Sequence, residues 1–288
     1  MRAARTLGIA RRSMQDGAML PSRFWTELTS SDLDDADMAE VIVVLPVAAI
    51  EQHGPHLPLG TDAFIMDGYL ERAYARLPPD LPVVFLPVQR CGCSVEHRDF
   101  AGTLSLSART ALSAWSEIAE AVARAGCRKL VIVNSHGGNS GLIDILAHEL
   151  RAAHGLFVVM AAWQRFGYPD DLFSASERVH GIHGGEIETS LMLTFRPDLV
   201  RHDKLENFVP TSLAMEREFT WLRAGRPTGY GWMAQDIGSA GPAGDAAAAT
   251  AEKGEACADY GATAFVELLQ DVEAFDLAAL VERGGRIV

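Results

Sequence analysis

Long apolar runs are missing from this chain of 288 residues. No apolar stretch reaches the roughly 18 to 20 residues that a membrane-spanning helix needs, so the sequence predicts no membrane association. The basic start, Met1 to Arg12, contains no continuous apolar segment, and we expect no secretory signal there. Residues 1–20 are interpreted as a disordered or extension tail, and residues 21–288 as a single domain.

Basic residues and cysteines are also scarce. The chain has 25 basic against 38 acidic residues and a net charge of −13, so it offers no positive surplus for phosphates, and nucleic acid is not an expected partner. The first two of its four cysteines are separated by a single residue, which is not the spacing of a zinc clip. We interpret all four as reduced thiols in a cytoplasmic protein. They are Cys91, Cys93, Cys127 and Cys257.

Several common functional motifs are absent. The chain contains no G-x-S-x-G elbow, which argues against a serine nucleophile of the α/β-hydrolase type. It also contains neither G-x-G-x-x-G after a strand nor a P-loop, which argues against a Rossmann-like nucleotide binder.

The apolar segments that are present alternate between strand and helix patterns. Short β-branched runs predict strands over 41–47, 81–88, 129–134 and 156–160. Helices are predicted between and after them, over 62–77, 107–125, 141–153 and 186–193, with an Ala-rich helix over 246–269 interrupted at Gly254 and Gly261. Residues 203–245 are interpreted as an irregular loop region or a partner-contacting insertion. This order predicts a three-layer α/β/α fold with a mainly parallel sheet.

The most informative segment follows the first predicted strand. Glu51, His53 and Asp62 lie within twelve residues there, on a path shaped by glycines and prolines. Because Glu51 and His53 are two residues apart, a strand end would present both on one face. Carboxylates with imidazole suit Zn, Mn or Fe better than Ca or Mg. The alternative is a polar turn in which Asp62 caps a helix.

Two later segments carry the same kind of side chain. His136 follows the third predicted strand and precedes two glycines, so it is a candidate ligand. His183, two glycines, Glu186 and Glu188 begin a predicted helix. The carboxylates there either complement the helix dipole or, with the histidine, serve metal binding and proton transfer. A further segment, 92–103, holds Glu96 next to His97 and is read equally well as pocket lining or as a polar loop.

These motifs together resemble the creatininase (creatinine amidohydrolase) family. The segments EQHGPHLPLGTD, NSHGGN and HGGEIETS occur in the family's order, and SVEHRDFAGT and ATAEKGE are similar to its patterns. The resemblance covers about residues 23–264. It implies a creatininase-like three-layer metal hydrolase, a site for two divalent ions at the strand ends, and a homo-oligomer, often a hexamer. Zn is the expected metal, with Mn or Fe as alternatives.

The resemblance also implies roles for the metal ligands. Glu51 and His136 would hold one ion, His53 the other, and Asp62 would bridge them. Where creatininase has a Glu ligand in a His-Tyr-Glu segment, this chain has Gly138. The missing ligand is predicted to be Glu186, with Glu188 as the alternative.

His183 matches the family's catalytic histidine and Glu188 the adjacent acidic position. The predicted reaction is hydrolysis of a C–N bond in a small amide, cyclic amide or formamide through a metal-activated water. Glu188 would accept the water proton, and His183 would stabilise the oxyanion or protonate the leaving nitrogen. The alternatives are a peptidase acting on modified peptides, a cyclic-ketone hydrolase, and a non-catalytic metal-binding protein.

Overall fold

A four-stranded parallel sheet forms the centre of the protein. The computed structural model describes residues 20–278 and residue 280, so the predicted tail lies outside the described residues except for its last position. The strands stand in the order β2-β1-β3-β4. Their bounds are β1 Ile42–Val47, β2 Val83–Phe85, β3 Lys129–Asn134 and β4 Phe157–Ala162. Val47, Asn134 and Ala162 are in register, so three strands end at one edge.

Helices cover both faces of this sheet. Their bounds are α1 Ser30–Asp35, α2 Thr61–Tyr74, α3 Ala108–Arg124, α4 Ser140–His154, α5 Ala175–His180, α6 Glu186–Phe195, α7 Ser212–Glu218, α8 Ala234–Ile237 and α9 Ala251–Ala274. Ile42 and Val44 of β1 belong to the core shared with α2, α6 and α9, whereas Val43 and Leu45 belong to the core shared with α3 and α4. This alternation is the period of a strand buried on both faces. The predicted three-layer α/β/α architecture is confirmed.

Two predicted elements differ in extent. Strand β2 is shorter than the predicted 81–88 because Pro82 and Pro87 flank it and cannot donate to the ladder. Helix α9 begins later than predicted and runs through both glycines without interruption. A Cβ at Gly254 would collide with the carbonyl oxygen of Ser190, and one at Gly261 with the ring of Tyr69. These glycines allow α9 to pack closely against α6 and α2.

The 203–245 segment is more ordered than its composition suggests. It contains α7, α8 and two short antiparallel strands, β5 Asn207–Phe208 and β6 Gly244–Asp245. Helix α5 was not predicted. Within the described residues, no helix combines the length and apolarity that crossing a bilayer would require. All four cysteines lie in the described part and are free thiols there.

Candidate metal centre

The side chains of the first motif meet His136 at the carboxyl edge of the sheet. Glu51 and His53 follow β1, Asp62 lies in the first turn of α2, and His136 follows β3. Since β1 and β3 are adjacent parallel strands, their ends deliver these residues to one place. All four are buried, with at most 5% of their surface exposed.

Asp62 lies between the two histidines. His136 Nδ1 is 3.6 Å from Asp62 Oδ2, and His53 Nε2 is 3.6 Å from Asp62 Oδ1. His136 Nδ1 is also 3.2 Å from Glu51 Oε2. The arrangement places one carboxylate oxygen toward each imidazole, as a bridging ligand would require.

The start of α6 brings two more groups to the cluster. Glu188 Oε2 lies 3.7 Å from His53 Nε2 and accepts a hydrogen bond of 2.6 Å from the Gly184 amide. His183 Nδ1 lies 3.7 Å from Glu51 Oε1. Both residues predicted to be catalytic therefore face the predicted ligands.

Glu186 is not brought into this cluster. Its buried carboxylate pairs with the ammonium of Lys253 in α9, and its amide donates a hydrogen bond of 2.7 Å to Glu177. Two residues along α6 turn a side chain by about 200°, so Glu186 and Glu188 face different directions. The structure places Glu188, not Glu186, beside His53.

The structure adds three residues to the cluster, two of which the sequence left open as either pocket lining or a polar loop. His97 Nε2 lies 3.4 Å from Glu51 Oε1, and Glu96 Oε1 lies 3.5 Å from His136 Nε2. A Cβ at Gly138 would collide with that Glu96 oxygen, so Glu96 occupies the space that a side chain at 138 would need. The sequence signal for Glu96 and His97 was the Glu-His pair in segment 92–103. Gln52, within the first motif, is the third.

Two buried groups hold the loop before α6. The Glu177 carboxylate accepts hydrogen bonds from the amides of Glu186 and Asp245, at 2.7 and 3.1 Å, and so ties α6 to β6. His56 Nε2 lies 3.0 Å from the carbonyl oxygen of Gly184 and donates to it. Burial lowers the pKa of His56 to about 4, so it is a neutral donor. These contacts fix the backbone that carries His183 and Glu188.

The cluster has the features of a divalent metal site. Within the described residues, Glu51 Oε2, His53 Nε2 and Asp62 Oδ2 are buried without a hydrogen-bond partner. Glu51, Asp62 and His136 form one group whose ligand atoms lie within 4.8 Å of one another, and His53, His183 and Glu188 form another. Unpaired buried polar atoms are costly, and a cation would satisfy them. Carboxylate and imidazole donors fit Zn or Mn.

The carboxylates dominate the electrostatics of the metal-free cluster. Burial lowers the pKa of His53, but Asp62, Glu188 and Glu51 outweigh it and raise that pKa to about 9. The pKa of His136 is likewise raised well above its usual value because Glu51, Glu96 and Asp62 outweigh burial. Burial raises the pKa of Glu188 to about 7. The metal-free site therefore holds protons near neutral pH.

Metal binding is accordingly expected to release protons. A metal-bound imidazole must be neutral, whereas His53 stays protonated below pH about 9 in the metal-free protein. Apparent Zn affinity should therefore rise with pH between about 6 and 9. Titration calorimetry in buffers of different ionisation enthalpy measures the number of protons released. Binding that releases none at pH 7 would contradict this account of the cluster.

Comparison with known proteins identifies the family. Residues 26–269 match the family model described as Creatininase: Creatinine amidohydrolase. A creatinine amidohydrolase of Pseudomonas putida is 32% identical over 211 residues, 67% of this chain and 80% of that protein. A mycofactocin precursor peptide peptidase of Mycobacterium tuberculosis is 33% identical over 184 residues, 62% of this chain and 68% of that protein. Zn–Zn and Mn forms of creatininase superpose with a TM-score of 0.69 at 26% identity, covering 87% of this chain and 98% of theirs. The chain belongs to the creatininase family of hydrolytic enzymes.

Proposed function

We propose that this chain is a divalent-metal-dependent hydrolase that cleaves a C–N bond in a small amide, cyclic amide or formamide. The observation that carries the proposal is the convergence of three buried, unpartnered donor atoms, Glu51 Oε2, His53 Nε2 and Asp62 Oδ2, within the described residues. One ion would be held by Glu51, Asp62 and His136, and a second by His53, Asp62 and Glu188. A structural zinc site would use four Cys or His ligands, whereas this carboxylate-rich set is typical of catalytic sites.

The expected metals follow from the donor set and the relatives. Solved creatininases hold Zn or Mn, which supports Zn first and Mn second here, with Fe as a further alternative. When bound, such ions would lower the pKa of a water ligand toward ~7 and polarise a carbonyl group.

The chain's own residues then supply positioning and proton transfer. The Glu188 side chain is 25% exposed and lies 3.7 Å from His53, so it contacts the cluster and is also open to solvent. Its carboxylate can accept a proton from water and return it to the leaving nitrogen. The Gly184 amide holds its carboxylate in place.

The relatives favour a second candidate, a peptidase. The mycofactocin precursor peptide peptidase is 33% identical to this chain, as similar as the creatinine amidohydrolase at 32%. The two candidates are separated by assaying the Zn-loaded and Mn-loaded protein on creatinine, cyclic amides, N-formyl amines and short peptides. Turnover of the small amides supports the proposal, and cleavage of peptides alone supports the peptidase. Two bound ions per chain without hydrolysis of any of these compounds would support the non-catalytic alternative.

Glu188→Gln is expected to lower both metal content and turnover. The amide is a poor ligand and no base, so we expect about one ion less per chain and a fall in kcat of about 10²–10⁴. Glu186→Gln is the matched control because that carboxylate pairs with Lys253, and it should keep the parent's metal content and rate. Elemental mass spectrometry and hydrolysis rates measure both. Loss of metal from the Glu186 variant alone would restore Glu186 as the ligand.

A homo-oligomer, with a hexamer as the expected size, is also proposed. Several large apolar side chains of the 203–245 segment are exposed in the single chain: Val209, Phe219, Trp221, Leu222 and Tyr230. Exposed apolar side chains in one segment are typical of a surface that a partner covers, which supports contact between copies of the chain.

A further inference from the structure

Gln52 lies between two histidines of the candidate site. It is buried and stands between Glu51 and His53 in the chain. Its Oε1 accepts a hydrogen bond of 2.9 Å from the Gly54 amide, which identifies the other amide atom as the donor. That donor, Nε2, lies 2.8 Å from His97 Nδ1.

The orientation of this amide is fixed by close packing. Gly241, in the loop that precedes β6, has φ +99, and a Cβ there would collide with Gln52 Oε1. Only a glycine combines that backbone conformation with the required space. The side chain of Gln52 is therefore enclosed by the backbone of its own motif and by that of the 203–245 segment.

The hydrogen bond from Gln52 determines which nitrogen of His97 carries the proton. Because Nδ1 accepts from the amide, a neutral His97 is protonated at Nε2. That nitrogen faces the cluster, 3.4 Å from Glu51 Oε1 and 4.0 Å from Glu96 Oε1. His97 thus presents an N–H donor to the site.

His183 presents a hydrogen-bond acceptor to the site, not a donor. Its Nε2 lies 2.6 Å from the main-chain carbonyl oxygen of Gln52, a contact that requires the proton on Nε2. The Gln52 side-chain nitrogen is also near, at 3.0 Å, but the shorter carbonyl contact decides the position of the proton. Nδ1, with its lone pair, faces the cluster 3.7 Å from Glu51 Oε1.

We infer that Gln52 is a positioning residue that makes His97 a hydrogen-bond donor and His183 an acceptor toward the same space. The facing atoms of these histidines and a Glu51 oxygen lie within 4.8 Å of one another. The catalytic meaning of the inference rests on the proposed function. His97 would donate to the oxyanion, which assigns to it the donor role that the sequence suggested for His183. The His183 lone pair would orient the attacking water.

The step balances without a further reactant. The water oxygen bonds to the carbonyl carbon, and the C–N bond breaks. The water proton passes to Glu188 and then to the leaving nitrogen, while His97 keeps its own proton throughout. An N–H aimed at a developing oxyanion contributes about 10²–10³ in kcat.

The position of the histidine protons can be measured directly. Solid-state NMR of the full chain labelled with ¹⁵N-histidine, metal-free and Zn-loaded, reports which ring nitrogen carries the proton. His97→Gln assigns the His97 signal by its loss. We expect protonation of both His97 and His183 at Nε2 in the parent, and a mixture of His97 forms in Gln52→Leu. A parent His97 protonated at Nδ1 would overturn the inference.

Kinetics on the Zn-loaded protein provide an independent test. Gln52→Leu should lower kcat about 10–100-fold with KM and metal content near the parent's, as expected for loss of a group that orients others. His97→Gln, which keeps an N–H near the Nε2 position, should retain more activity than His97→Leu. Gln235→Leu is the matched control. This glutamine is exposed, and within the described residues its side chain hydrogen-bonds only to Asp99. The variant should match the parent in kcat, KM and metal content.

The two proposals fail in different ways. If neither the parent nor any variant hydrolyses a C–N bond, the proposed function falls, while the NMR spectra still decide the orientation of the histidines. If the parent is active and Gln52→Leu matches it in kcat, the inference about Gln52 is overturned and the hydrolase stands. Even if Gln52→Leu does not fold, a parent His97 protonated at Nδ1 overturns the inference, and protonation of both histidines at Nε2 supports it.

Discussion

Asp62→Asn should abolish binding of both ions and remove the stabilisation that metal gives. Asp62 is 1% exposed, with Oδ1 toward His53 and Oδ2 toward His136. An amide has no negative charge and turns an NH₂ toward one of these imidazoles. Neither half of the cluster then keeps a complete ligand set. We expect elemental analysis to find almost no metal and the hydrolysis of any substrate to be lost.

In the absence of metal, Asp62→Asn should not destabilise the protein. Burial and the charge of Glu51 raise the pKa of the Asp62 carboxyl. A carboxyl whose folded-state pKa is raised favours folding only while it is protonated, so its ionised form destabilises the metal-free protein at pH 7. Asparagine removes that charge. The metal-free variant should therefore melt at the same temperature as the metal-free parent or higher.

Thermal melting with and without metal makes the test decisive. The parent should gain about 4 kcal/mol at a Zn concentration a thousand times Kd, and the variant nothing. Asp67→Asn is the matched control, because Asp67 lies on the same helix and pairs with Arg90 at the surface, 2.8 Å away. It should respond to metal like the parent. Two ions retained in Asp62→Asn would contradict the bridging role.

The part of the site that sequence reasoning located depends on short-range order. Glu51 and His53 are two residues apart at a strand end, and Asp62 begins the next helix, so local geometry alone brings them close. His136 was predicted to join them because the first and third strands are parallel, and the carboxyl ends of parallel strands meet at one edge of the sheet. The structure places these four residues together. No long-range information was needed for them beyond the order of the strands.

The choice between Glu186 and Glu188 depended on long-range packing. Both lie in the first turn of α6, and their spacing alone does not show which faces the sheet edge. The contact with Lys253 shows that Glu186 faces α9, because α9 packs on α6 and brings an ammonium to Glu186. That residue is 67 positions away in the chain. His97 was obscured for a similar reason, since a loop without periodicity gives no direction for its side chains.

Glycines in α9 illustrate how tertiary contacts override local preference. Glycine is unfavourable inside a helix by about 1 kcal/mol relative to alanine, which is why the sequence suggested interruptions at Gly254 and Gly261. The helix is nevertheless continuous from Ala251 to Ala274. Its partners α6 and α2 approach so closely that a methyl group has no space. The propensity cost is offset by burial between helices.

Gly254→Ala should therefore destabilise the protein although alanine is the better helix former. The added Cβ would collide with the Ser190 carbonyl oxygen and with Thr194 Oγ1, both on α6. Overpacking of this kind costs about 1–3 kcal/mol, more than the gain of about 1 kcal/mol in helix propensity. For a chain of this size the melting temperature changes by about 2–4 °C per kcal/mol, so a fall of several degrees is expected.

Gly141→Ala separates the packing effect from the propensity effect. Gly141 is an exposed glycine of α4, and among the described residues no atom lies within 4 Å of a Cβ built there. The same substitution should leave stability unchanged or raise it by up to about 1 kcal/mol. If both variants melt like the parent, α6 and α9 are not packed as closely as described. If Gly254→Ala alone is destabilised, metal content should fall with it, because α6 carries Glu188 and any shift of that helix moves the carboxylate away from His53.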